Sequence, residues 1–234
     1  MDRITRKSLK DDRFAAEVTH SVEFLAGHRR QVLLYGGIGA AVLAVALGGY
    51  FWWRRQQDAA HLALYKALRV YHGVISDEER EGRVTFKTEQ DKQKKSLQEF
   101  ESAARNHPRT AEGKIARYYA ALVHKDMGKP DEARKLLAQA VGDSPAEVAA
   151  LARLALAEIH EAQNRPQDAR KLYEYLVKNP TSTVPEARAQ LALARLLKSS
   201  QPEEARKLLS ELQKRVGPIS VAAGSILREM GPGN

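Results

Sequence analysis

The chain has 234 residues, no cysteine and a formal net charge of +9. The missing cysteine excludes disulfides, thiolate metal sites, thiol nucleophiles and a lipoprotein anchor. Charged residues make up 29% of the chain and apolar ones 43%; Ala, Leu, Arg, Lys and Glu dominate, which favours helix.

Residues 1–31 form a polar tail with seven Lys/Arg and five Asp/Glu. Within it Phe14, Val18, Val22 and Leu25 share one stripe of a helix beginning near Asp12. That stripe suits a short amphipathic helix, either in solution or lying on a membrane surface. Residues 32–53 then hold 22 positions without a charge. About 20 apolar residues cross a bilayer as a helix. Arg29 and Arg30 precede the run, Arg54 and Arg55 follow it, and Tyr50, Trp52 and Trp53 make an aromatic belt at one end. A cleaved signal peptide would be shorter and would end in small residues, not in aromatics and Arg. The run therefore predicts a single transmembrane signal anchor with the lipid bilayer as a partner.

Orientation is weakly encoded. The 31 residues before the span carry seven Lys/Arg and the 31 after it carry six. Because long segments translocate largely regardless of charge, the larger C-terminal part sets the expectation of a cytoplasmic N-terminus. Inside the span Gly36, Ala40, Ala44 and Gly48 repeat every four residues. Such a row lets another helix approach closely, although small residues are common in membrane helices anyway.

Beyond the span, Ala60, Leu64, Leu68 and Tyr71 make one helical face over 56–75. Residues 76–95 are highly charged and read as a solvated extension, partly loop. A further helix follows from Leu97 through Phe100, Ala103 and Ala104 to Pro108. Residues 56–108 together read as a first, expanded repeat.

The rest of the chain is periodic. Residues 130–137 (PDEARKLL), 166–173 (PQDARKLY) and 202–209 (PEEARKLL) are near-identical at a spacing of 36. A fixed period of this size is the mark of a solenoid. In each copy the Pro suits the first helical position, where a missing N–H is harmless. Acidic residues follow in the first turn, facing the positive end of the helix dipole. Ala133, Ala169 and Ala205 are small enough for close helix crossings. Clear repeats fall at 110–145, 146–181 and 182–218. Ser144 with Glu147, and Thr183 with Glu186, have the spacing of capping boxes. Residues 219–230 predict a terminal helix covering the last apolar face.

No catalytic constellation is visible: there is no nucleophile elbow, no HExxH and no phosphate loop, and the glycines at 36, 37 and 39 lie in the span. The chain reads as a non-enzyme without cofactor or small-molecule substrate. His124 and His160, 36 apart, occupy equivalent repeat positions. Two imidazoles without a carboxylate make a poor metal site, and packing is the simpler role. The part after the span has 31 Lys/Arg against 24 Asp/Glu, a net +7. Most carboxylates sit three or four residues from a cation, so no one-signed stripe for nucleic acid emerges.

This pattern resembles the tetratricopeptide repeat (TPR). The second-helix positions of that family correspond to Ala133, Leu137, Ala140 and Pro145 in the first copy. They correspond to Ala169, Tyr173, Leu176 and Pro180 in the second, and to Ala205, Leu209, Leu212 and Pro218 in the third. Copies two and three lose the later small residue, and Arg117 and Arg153 stand where the family has Trp. The resemblance implies an all-α, TPR-like helical-hairpin solenoid preceded by one transmembrane helix. It implies a peptide-binding groove along the first helices, with Tyr118, Leu122, Leu151, Leu154 and Leu197 as lining residues, together with Ile115, Ala187, Gln190 and Ala194. These positions carry no Lys/Asn/Arg clamp for a terminal carboxylate. They are either a groove for apolar polypeptide or are covered by neighbouring helices.

The layout of tail, anchor and cysteine-free repeat domain also resembles the YfgM-type proteins of bacteria. That resemblance implies an inner-membrane protein with a periplasmic repeat domain, ancillary to the Sec translocon. Its implied partners are the translocon, a periplasmic chaperone or exported chains. A structural scaffold for envelope assembly or division is the alternative.

Overall fold

The computed structural model describes residues 29–78 and 82–231. The stripe Phe14, Val18, Val22 and Leu25 lies outside the described residues. The chain divides into two compact units, 1–55 and 56–234. Nine helices and one pair of two-residue strands make up the described residues: α1 (Arg29–Tyr71), β1 (Val74–Ile75), β2 (Thr85–Phe86), α2 (Glu89–Asn106), α3 (Ala111–Asp126), α4 (Pro130–Asp143), α5 (Ala146–Ala162), α6 (Pro166–Lys178), α7 (Glu186–Leu197), α8 (Pro202–Gln213) and α9 (Pro218–Glu229).

In the first unit, α1 contains the uncharged run. It is the one described helix long and apolar enough to cross a membrane. Leu33, Leu34, Ile38, Val42, Leu43 and Val45 are all exposed. This is the reverse of a soluble core helix, which would bury such side chains.

The second unit is a stack of helical hairpins: α3 with α4, α5 with α6, α7 with α8. Each helix packs on its predecessor and its successor in the chain. The repeated motif opens α4, α6 and α8, with Pro130, Pro166 and Pro202 in the first turn. The turns inside the hairpins repeat as well. Gly128 (φ 71°) and Asn164 (φ 56°), 36 apart, both take the left-handed conformation after a first helix. Asn tolerates that region better than other non-glycine residues, so it can stand where the earlier copy has Gly. The next residues, Lys129 and Arg165, donate their N–H groups to the carbonyls of His124 and His160, at 2.9 and 2.8 Å.

The core runs between the hairpins as a chain of apolar clusters. Ala133, Leu137 and Ala140 meet Ala121, Ala152, Leu156 and Ile159. Ala169, Tyr173 and Leu176 meet Ala150, Leu154, Ala157, Val184, Leu193 and Leu197. Leu209 and Leu212 meet Leu191, Ala194, Ala223 and Ile226, so α9 covers the end of the stack. The motif alanines 133, 169 and 205 are all 0% exposed. A larger side chain there would force the crossing helices apart.

Ahead of the periodic part, Ala67 and Tyr71 at the end of α1 pack with Phe100 and Ala103 of α2 and Ala116, Ala120 and Val123 of α3. Phe100 and Tyr119 stack with centroids 5.1 Å apart. Gly113 permits the tight turn from α2 into α3: a Cβ there would meet the His107 carbonyl oxygen at 1.8 Å. Within the charged stretch 76–95, residues 82–95 are more ordered than a solvated extension. It contains β2, which pairs in parallel with β1 in the register Val74 to Thr85 and Ile75 to Phe86. It also contains the first turns of α2, where the Thr88 side chain accepts from the Asp91 N–H. Charge composition hid the apolar Val84 and Phe86, which lie half-buried beside Gly73.

The two expected capping boxes do not form. Pro145 and Pro185 occupy the N-cap positions of α5 and α7, and neither helix has a side-chain cap. Proline follows Ser144 immediately and follows Thr183 by two residues, which shifts each helix start past the Ser or Thr. The side chains freed in this way tie adjacent hairpins together: the Thr183 N–H donates to Glu147 Oε2 at 3.0 Å, and Thr183 Oγ1 lies 2.9 Å from the Glu147 carbonyl oxygen.

Candidate protein-binding surface

The first helices of the hairpins carry the expected groove residues. Tyr118 and Leu122 are on α3, Leu151 and Leu154 on α5, and Leu197 on α7. Tyr118, Leu122 and Leu151 are half-buried and lie against the core clusters. Ile115, Ala187 and Gln190 are half-buried too. Leu154 and Leu197 are 5% and 3% exposed, and Ala194 is 0% exposed. Hairpin stacking consumes these last three. At the interface of α5, α6 and α7, both leucines meet Tyr173 and Leu176. Helical register alone assigned them to an open face, but the stack is close enough to bury that side of α5 and α7.

Among the three leucines and one tyrosine nominated on α3 and α5, then, Tyr118, Leu122 and Leu151 keep partial exposure. Charged pairs sit on the same helices. Lys125 Nζ of α3 donates to Glu158 Oε2 of α5 at 2.9 Å. The Tyr118 hydroxyl is pushed up to about 12, by burial first and then by Tyr119 and Glu158, with Arg188 opposing. Tyr118 therefore stays a neutral hydroxyl at physiological pH, able to donate or accept a hydrogen bond. Sequence reasoning missed the Lys125–Glu158 pair because the partners are 33 residues apart, outside any single-helix spacing rule.

The span row Gly36, Ala40, Ala44 and Gly48 is exposed along α1, and a Cβ at Gly36 or Gly48 would meet no atom within 4 Å. His124 and His160 end α3 and α5. His124 Nε2 lies 3.6 Å from Glu101 Oε1. Burial, and then Arg165, lower the basicity of His160. Among the described residues no three His or carboxylate side chains gather in a metal-binding group.

The arrangement presents half-buried apolar side chains and interhelical ion pairs on a stack of hairpins. Comparison with curated proteins and with solved structures yields no match. Residues 118–183, from α3 through α5 and α6 to the loop before α7, match the family model for the Tetratricopeptide repeat. Over that stretch the chain is similar to tetratricopeptide repeats.

Proposed function

We propose that this protein is a membrane-anchored interaction adaptor, ancillary to the Sec translocon and to periplasmic chaperones in protein export. The observation that carries the reading is one chain combining a helix apolar enough to span a bilayer with a stack of tetratricopeptide-type hairpins. In this reading the N-terminus is cytoplasmic, residues 32–53 anchor the chain in a bacterial inner membrane, and the hairpins work in the periplasm. The groove is formed by Tyr118, Leu122 and Leu151, with Leu154 and Leu197 as its buried support. The row Gly36, Ala40, Ala44 and Gly48 serves helix packing within the membrane.

A groove of this kind takes its affinity from apolar surface. Burying a large apolar side chain contributes roughly 1.5–3 kcal/mol, and about 1.4 kcal/mol is a decade in affinity. Replacing both Tyr118 and Leu122 with Ser should reduce recovery of translocon or chaperone partners from detergent-solubilised membranes at least tenfold. Far-UV circular dichroism on the same preparations separates loss of binding from loss of fold. Full helicity with unaltered recovery would overturn the groove assignment. Recovery of envelope-building proteins alone would favour the scaffold reading.

A further inference from the structure

Between α2 and α4, over α3, lies an open cleft of about 390 Å³. Ala104, Ala120 and Leu136 line it together with Arg105, Arg117 and Gln139. The repeat gives these positions counterparts in the next hairpin: Val141 for Ala104 at a spacing of 37, and Arg153 for Arg117, Leu156 for Ala120 and Tyr175 for Gln139 at a spacing of 36.

At the counterpart site the chain supplies its own filling. The Arg153 guanidinium lies over the Tyr175 ring, 4.4 Å from its centroid. Leu156 is buried. In the cleft both groups are reduced. Gln139 brings no ring, and Ala120 lacks the branched chain of Leu156. Arg117 is held in an ion pair instead, donating to Asp143 Oδ2 at 2.7 Å. The cleft is thus the repeat site from which one aromatic ring and one isobutyl group are missing.

Its rim carries both signs. Glu101 lines it beside Arg105, whose side chain is 72% exposed and lies a long 3.9 Å from the Glu101 carboxylate. Arg109, next to Pro108 of the rim, is exposed as well. A guanidinium over an aromatic face is attractive, as the Arg153–Tyr175 contact shows within the same chain.

We propose that this cleft binds an aromatic side chain, flanked by carboxylates, of a partner polypeptide. The ring takes the place that Tyr175 holds in the next hairpin, and the flanking carboxylates meet Arg105 and Arg109. The site goes beyond the groove reading, because it is built largely from the second helices α2 and α4.

The test uses the full chain in detergent micelles with ¹³C-labelled alanine methyls. The probes are the peptide acetyl-Asp-Tyr-Glu-Glu-amide and its analogue with Ala in place of Tyr. The Ala104 and Ala120 methyl signals should shift saturably with the tyrosine peptide, and its affinity should exceed that of the analogue at least tenfold. Gln139→Tyr copies the next hairpin and should fill the cleft, weakening the tyrosine peptide tenfold or more while the melting temperature holds or rises. Ala104→Leu, at a half-buried lining position, is a second filling variant and should weaken binding in the same sense, read on the Ala120 methyl. Equal shifts from the two peptides would reduce the site to a charged surface and overturn the proposal. So would an absence of saturable shifts, or an affinity that both filling variants leave unchanged.

Discussion

Glu147 and Thr183 stand 36 positions apart and hold two successive hairpins in register through the Thr183 N–H, which donates to Glu147 Oε2 at 3.0 Å. The Thr183 hydroxyl lies 3.0 Å from the same carboxylate oxygen. These hydrogen bonds favour the ionised form, and they hold the Glu147 carboxyl at about 2, against an ordinary value of 4.5.

The sign of the pH effect follows from that depression. Stability from this contact is fully present above the unfolded value of 4.5 and is lost as pH falls toward 2. Denaturant titrations at pH 7, 4 and 2.5 should show part of the acid loss in the parent protein and a smaller loss in Glu147→Gln. The protection of the Thr183 amide, its exchange relative to the unstructured rate at the same pH, should fall as the carboxyl protonates. Identical acid profiles for the two proteins would remove Glu147 from the account.

Ala169 is wholly buried at the centre of the stack, among Tyr173, Leu176, Leu154 and Leu193. Replacing it with Phe should lower stability by about 1–3 kcal/mol through overpacking. Ala138, exposed on α4, is the control and should tolerate substitution within about 0.5 kcal/mol. Thermal melts of the two variants check the packing directly; equal melting temperatures would contradict it.

Topology offers a separate prediction. A reporter that is active only in the periplasm should be active when fused after Asn234, and a cytoplasm-only reporter there should be silent. The opposite pattern would remove the export reading while leaving the hairpin stack intact.

Much of the fold is legible in the sequence because period and proline act locally. The near-identical octets place three second helices, and Pro130, Pro166 and Pro202 open them where the structure does. The 22-residue uncharged run lies wholly within α1. What escaped depends on neighbours distant in sequence. A helix face is defined by register, but whether Leu154 and Leu197 remain open is decided by how closely α6 and α7 pack on α5. A Ser or Thr three residues before Glu signals a capping box, yet Pro145 and Pro185 displace the helix starts and send Glu147 to the next repeat. The strands at 74–75 and 85–86 are too short to show alternation and are embedded in charge. The cleft beside Arg117 had a readable sign in the exchange of Gln139 for Tyr175 at one repeat position, but its volume required the three helices in place.

The central claim is that the hairpin stack works as an adaptor on exported chains, through the first-helix surface. Site-specific photocrosslinking in intact cells, with the probe at Leu122 or Leu151, tests it most directly. The account predicts crosslinks to the translocon channel, a periplasmic chaperone or chains in export, and their loss when the probe is moved to exposed Lys171 of α6. Crosslinks confined to envelope-building proteins, or equal yields from both faces, would contradict it.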